Sequence, residues 1–153
     1  MSSLPSYTPG DWLFGVWTRI QNIPAKKLVK LVLKLKNAGG APAGITFRCN
    51  NDTGNNYNLH NVSGASDGWV TGWPYLLITG SLPAGKTQVI TLLFSTSNDS
   101  GIQPVEIIGG PNYGGAGQLY DWGEYLSATP INEVSFSQSV THDYEYELYY
   151  AKE

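Results

Sequence analysis

An antiparallel β-sandwich of jelly-roll type, with about eight to ten short strands, is the fold class this sequence predicts. Three observations carry it. Several short segments alternate apolar and polar positions with period two, the pattern of a strand with one face buried. The 18 glycines and 9 prolines punctuate the chain at short intervals, as turns between strands require. No segment combines helical periodicity with caps at its ends. The length of 153 residues suits one core. The division expected is an extended N-terminal arm over 1–11 and a single sandwich domain over 12–153.

The arm, Met1 to Asp11, contains Pro5, Pro9 and Gly10, which favour an extended chain able to lie over a neighbouring surface. Leu28 to Lys36 is the clearest strand. Val29, Leu31, Leu33 and Leu35 fall on one face, and Lys30, Val32, Lys34 and Lys36 on the other. It stops at Asn37-Ala38-Gly39-Gly40-Ala41-Pro42, where glycine supplies positive φ. Gly44 to Cys49 is a further strand, Asn50 to Asn56 is loop, and Tyr57 to Val62 resumes as strand. Trp69 to Thr79 and Lys86 to Ser95 read as two strands joined by a turn over Gly80 to Gly85. Val105 to Ile108 is short, and Gly109 to Gly117 is a glycine-rich loop, mobile or ordered by an interface. Leu119 to Leu126, Pro130 to Ser137 and Asp143 to Tyr150 complete the set.

Apolar residues make up 41% of the chain, aromatics 12% and charged residues 14%, against a usual charged share of about 25%. The five Trp, ten Tyr and four Phe supply the buriable area that disordered chains lack. A net charge of -3 has the wrong sign for neutralising phosphates, so no nucleic-acid partner is expected. No run approaches the roughly 20 apolar residues of a membrane-spanning helix, so no membrane partner is expected either. One cysteine excludes an internal disulfide and a cysteine-rich zinc site.

Charge is divided along the chain. Residues 1–86 hold eight basic and three acidic side chains, and residues 87–153 hold one basic and nine acidic. Lys30, Lys34 and Lys36 repeat at even spacing on one strand, as Asp143, Glu145 and Glu147 do on another. Within one chain the two sets form a cross-strand ladder, the commoner arrangement. Between chains they would form a head-to-tail interface of the kind a lattice-forming protein uses, and self-association is expected.

No catalytic constellation is found. His60 and His142 sit in polar surroundings near turns and outside any HExxH or GxSxG pattern, so they read as ordinary surface or loop histidines. Cys49 at a strand end reads as a small buried hydrophobe. The Asn50 to Asn56 loop resembles a calcium loop in composition, but it has Asp52 as its single carboxylate and no terminal Glu. Gly109 to Gly117 lacks the lysine and the following helix of a phosphate loop. No cofactor and no metal are expected. Trp69, Trp73, Tyr75, Tyr113, Tyr120, Trp122 and Tyr125 lie among Gly, Asp and Asn, a mixture used for stacking on sugars, although most aromatics of a sandwich fill cores and interfaces. Asn51, Asp52, Asn55, Tyr57, Trp69, Trp73, Tyr113 and Trp122 are the candidate ligand surface.

A resemblance adds to this reading. Gln21-Asn22-Ile23-Pro24 precedes the aliphatic strand, and Phe47-Arg48-Cys49-Asn50-Asn51-Asp52-Thr53-Gly54-Asn55-Asn56-Tyr57 follows it. Thr129 to Phe136 and Glu147-Leu148-Tyr149-Tyr150 close the order. The whole resembles a family of tailed-bacteriophage virion proteins bearing an Asn-Asp-Thr-Gly-x-Asn-Tyr signature. Asn51 stands where the family pattern has Gly, Cys49 where it has Phe or an aliphatic, and Tyr150 where it has a terminal Gly. The resemblance implies a β-sandwich virion component with no enzymatic activity. Its expected partner is the major capsid protein or another virion protein. A free module of this length suits a capsid decoration protein bound in many copies to the head. The alternative is a carbohydrate-binding or host-recognition module on the tail or fibre, with a glycan as partner.

Overall fold

The computed structural model describes residues 2–3, 18–23, 28–61, 68–95, 101–109, 120–138 and 142–150. Among these residues twelve strands form two antiparallel sheets: β1 (Ser2–Ser3), β2 (Thr18–Ile20), β3 (Leu28–Asn37), β4 (Ala43–Cys49), β5 (Tyr57–Asn61), β6 (Gly68–Trp73), β7 (Leu76–Leu82), β8 (Thr87–Phe94), β9 (Gln103–Ile108), β10 (Tyr120–Tyr125), β11 (Val134–Gln138) and β12 (His142–Tyr150). Eight strands run in the order β1-β12-β3-β8-β9-β10-β5-β6, and four in the order β2-β11-β4-β7. The fold is all-β and sandwich-like, as the periodicity predicts. Of the expected arm only Ser2–Ser3 is described, paired with Tyr150 and Tyr149 at the edge of the larger sheet. From residue 110 onward the glycine-rich loop lies outside the described residues.

Period-two alternation builds the core. In β3, Leu31, Leu33 and Leu35 are fully buried, and Lys34 and Lys36, which alternate with them, are exposed. Ile90, Leu92 and Phe94 repeat the pattern on β8, and Ile45, Phe47 and Cys49 repeat it on β4. The sheets meet through aromatic pairs. Phe47 lies 6.0 Å from Phe94, and Phe136 packs edge-on against Tyr144 at 5.3 Å.

Two expectations are corrected. The segment from Trp69 to Thr79 is two strands in different sheets, because β6 pairs with β5 and β7 pairs with β4. The break falls at Pro74-Tyr75, where proline cannot donate to a ladder and the chain crosses between sheets. Arg48 holds that corner by donating from Nε to the Pro74 carbonyl at 2.9 Å. Nor does the turn before β8 close a hairpin, since β8 pairs with β3 and β9 rather than with β7. That turn crosses between sheets too. Buried Asn37 secures it, donating from Nδ2 to the carbonyls of Leu82 and Ala41 at 2.8 Å each. Gly85, at a φ of 75°, donates to the Asn37 carbonyl at 2.7 Å.

The charged columns meet inside the chain. In the β12–β3 ladder Asp143 stands opposite Lys36, Glu145 opposite Lys34 and Tyr149 opposite Lys30. Lys34 Nζ lies 3.0 Å from Glu145 Oε1, and the Lys30 ammonium sits 4.3 Å over the Tyr149 ring. Glu147 faces Val32 and accepts a hydrogen bond from the Tyr149 hydroxyl. The ladder is therefore intramolecular, with Tyr149 in the place expected of a carboxylate.

Candidate ligand-binding face

The asparagine-rich loop between β4 and β5 is organised largely by its own side chains. Asn50 and Asn51 adopt left-handed φ values of 53° and 51°, which asparagine tolerates better than most residues. Asn50 Oδ1 accepts the Asn132 N–H at 2.9 Å, and its Nδ2 donates to the Pro130 carbonyl at 3.1 Å. Asp52 Oδ1 accepts the Gly54 N–H at 2.8 Å. Its Oδ2 accepts from Asn56 Nδ2 at 2.9 Å and from the Tyr125 hydroxyl at 3.1 Å. Burial is the largest influence on the Asp52 carboxyl and pushes its pKa up. The bonds from Asn56, Gly54 and Tyr125, with the Arg48 charge, outweigh it and hold the group below its ordinary value.

Tyr57 ends the loop and is fully buried. Its hydroxyl accepts the Cys49 N–H at 3.0 Å and lies 3.1 Å from the carbonyl oxygens of both Cys49 and Asp52, to which its proton can be donated. Its ring stacks on Tyr125 at 5.2 Å. Burial pushes the Tyr125 hydroxyl up to about 12, and drives the Tyr57 hydroxyl and the Cys49 thiol upward as well. Asp52 and Tyr57, placed on the expected ligand surface, are instead spent inside the protein. Of the candidates at the loop, Asn51 and Asn55 remain exposed.

The aromatic candidates divide. Trp73 is half-buried, packed against the core and edge-on to Tyr75 at 5.7 Å, so it offers little surface. Tyr113 lies outside the described residues. Trp69 and Trp122 reach solvent, 49% and 37% exposed, on the outer face of the eight-stranded sheet. His60 separates them by register: Trp122 on β10 pairs with His60 on β5, which pairs with Trp69 on β6. The His60 ring lies 5.2 Å from Trp69, and its Nδ1 is 2.8 Å from Asp121 Oδ1.

A bulge makes this contact. Tyr120 pairs with Asn61 and Trp122 with His60, so Asp121 is the extra residue of β10 and its carboxylate is turned to the histidine. Glu106 on β9 stands opposite Trp122 and extends the row. A second row lies beside the first. Asn58 Nδ2 donates to Glu124 Oε2 at 3.1 Å, and Asn58 Oδ1 accepts the Gly72 N–H at 3.2 Å. Sequence reasoning placed His60 in the strand that begins at Tyr57, as β5 shows, but did not count it among the candidate site residues. The signal was local: Tyr57 and Leu59 are apolar and turned inward, which sends Asn58 and His60 to the other face.

No family model and no curated protein matches the chain. Among solved structures it is similar to the Caenorhabditis elegans galectin LEC-6, with a TM-score of 0.40 and 12% identity over 92% of this chain and 96% of that one. It is also similar to the STIV MCP, with a TM-score of 0.25 and 14% identity over 99% of this chain and 47% of the other. The fold class rests on the two sheets themselves.

Proposed function

We propose that this chain is a non-enzymatic structural component of a bacteriophage virion, a decoration module bound in many copies to the head. The observation that carries the reading is the loop from Asn50 to Tyr57. Asp52, Gly54, Asn56 and Tyr57, four of the residues through which the chain resembles virion proteins, make the hydrogen bonds that shape it, which suits an architectural use of the motif. Burial of Cys49 keeps its thiol protonated, which suits a packed side chain and disfavours a nucleophile. Such a module works through its surfaces, and modest contacts repeated over many copies sum to firm attachment.

Host recognition on the tail is the second reading, favoured by the exposure of Trp69 and Trp122 on one face. Protein identification and cryo-EM of purified particles carrying the chain separate the two. Density at many equivalent shell sites is the expected result. A few copies confined to the tail would replace the first reading with the second, and absence from the particle would overturn both.

A further inference from the structure

We propose that the outer face of β9, β10, β5 and β6 binds a neutral saccharide, held between Trp69 and Trp122 with Asp121 and Glu106 as hydroxyl acceptors. This goes beyond placement on a particle and holds for a head or a tail location.

Trp supplies the largest apolar surface of any side chain and is highly buried on average. Two indoles exposed on one face, on either side of His60, are therefore the informative feature, the more so because Phe47, Phe94 and Phe136 are buried in the core. The row Glu106–Trp122–His60–Trp69 crosses four neighbouring strands, and three strand spacings give it a span of about 14 Å. That length accommodates one or two pyranose rings lying flat. The indoles supply apolar platforms for the C–H faces of such rings, and the carboxylates of Asp121, beside His60, and Glu106, beyond Trp122, accept from ring hydroxyls.

Two of the carboxylates, Asp121 and Glu124, are held in place before any ligand arrives. Asp121 is fixed by the bulge and by His60, and Glu124 by Asn58, which Gly72 fixes in turn. A carboxylate with one hydrogen bond retains further lone pairs for a hydroxyl donor. Such preorganisation lowers the ordering cost of binding.

Charge selects against acidic ligands. The face carries Glu106, Asp121 and Glu124, and β5, β6, β9 and β10 contain no Lys or Arg. A phosphate, a sulfated sugar or a sugar acid would meet repulsion without a lysine or arginine on these strands to offset it. A cationic peptide is the competing occupant, since indoles and carboxylates attract ammonium groups. Two of the three carboxylates already accept a hydrogen bond from the protein, which suits them to hydroxyl donors.

The test uses the full recombinant chain with the methyl glycosides of glucose, galactose, N-acetylglucosamine and rhamnose, followed by saturation-transfer NMR, with an oligolysine peptide as control. Expected is transfer to the C–H protons of at least one glycoside, with affinity falling about tenfold or more in both Trp69→Ala and Trp122→Ala. Asp121→Asn should weaken the same glycoside, and Val89→Ala, exposed elsewhere on the sheet, should leave it unchanged. Unaltered melting temperatures show that the variants fold. Absence of transfer to every glycoside, transfer that survives both tryptophan variants, or binding of oligolysine alone would each overturn the proposal. A chain found on particles that binds no glycoside sinks this site and spares the virion reading, and the reverse outcome does the opposite.

Discussion

The hydroxyl of Tyr57, on β5, meets the backbone of Cys49, on β4, accepting its N–H at 3.0 Å and lying 3.1 Å from its carbonyl oxygen. β5 belongs to the eight-stranded sheet and β4 to the four-stranded one, so a single phenol ties the two layers at one end of the sandwich. The Asp52 carboxylate closes the same corner from the loop, through Tyr125.

Removing that hydroxyl in Tyr57→Phe leaves the Cys49 N–H buried without its partner while the ring stays packed. The variant should lose about 1–3 kcal/mol of stability, the cost of an unsatisfied buried donor. Chemical denaturation with an unchanged m-value is the check. A loss under about 0.5 kcal/mol would mean the corner is held by packing alone.

Asp52 should make stability depend on acid. Its folded-state pKa is lowered, so its contribution is fully present above the ordinary carboxylate value of about 4 and fades as pH falls through the lower folded value. Melting temperatures of the parent and of Asp52→Asn, followed from neutral to acid pH, should converge at the acid end. Parallel curves would exclude Asp52 as a source of the acid response.

Cys49 is fully buried and its thiol is pushed upward, first by burial and then by the Asp52 charge. A thiol-specific reagent such as dithionitrobenzoate should leave it unmodified in the native protein at mildly alkaline pH and titrate it fully in denaturant. Rapid native modification would show that the corner opens readily.

The Lys34–Glu145 pair, with side chains 54% and 32% exposed, should contribute little. Lys34→Ala and Glu145→Ala, combined in a double-mutant cycle, are expected to couple by about 0.2–1 kcal/mol, decreasing with added salt. A larger, salt-insensitive coupling would mean that the ladder orders the β12–β3 pair.

Much of this architecture is legible along the chain because period two is a local property. Leu28 to Lys36 announces β3, and the inward Leu31, Leu33 and Leu35 follow from its alternation. The spacing of Asp143, Glu145 and Glu147 likewise predicts the strand that pairs with it. Turn chemistry at Asn50 and Gly85 marks where strands end. Alternation does not reveal which strands become neighbours. Trp69 to Thr79 reads as one continuous strand, yet Pro74 divides it between sheets, since the crossing depends on what Arg48 and β4 offer the corner.

The candidate face divides in the same way. Sequence alone determined that Trp69 and Trp122 sit in strands among polar residues, and that Tyr57 closes a tight asparagine-rich loop. Tertiary pairing decided that His60 lies between the two indoles, that a bulge turns Asp121 to it, that Tyr57 points inward and that the Asp52 carboxylate is taken up by Gly54, Asn56 and Tyr125. The reason is physical: a side chain's face is set by its own backbone, whereas its neighbours across a sheet are set by hydrogen bonds between segments far apart in the chain.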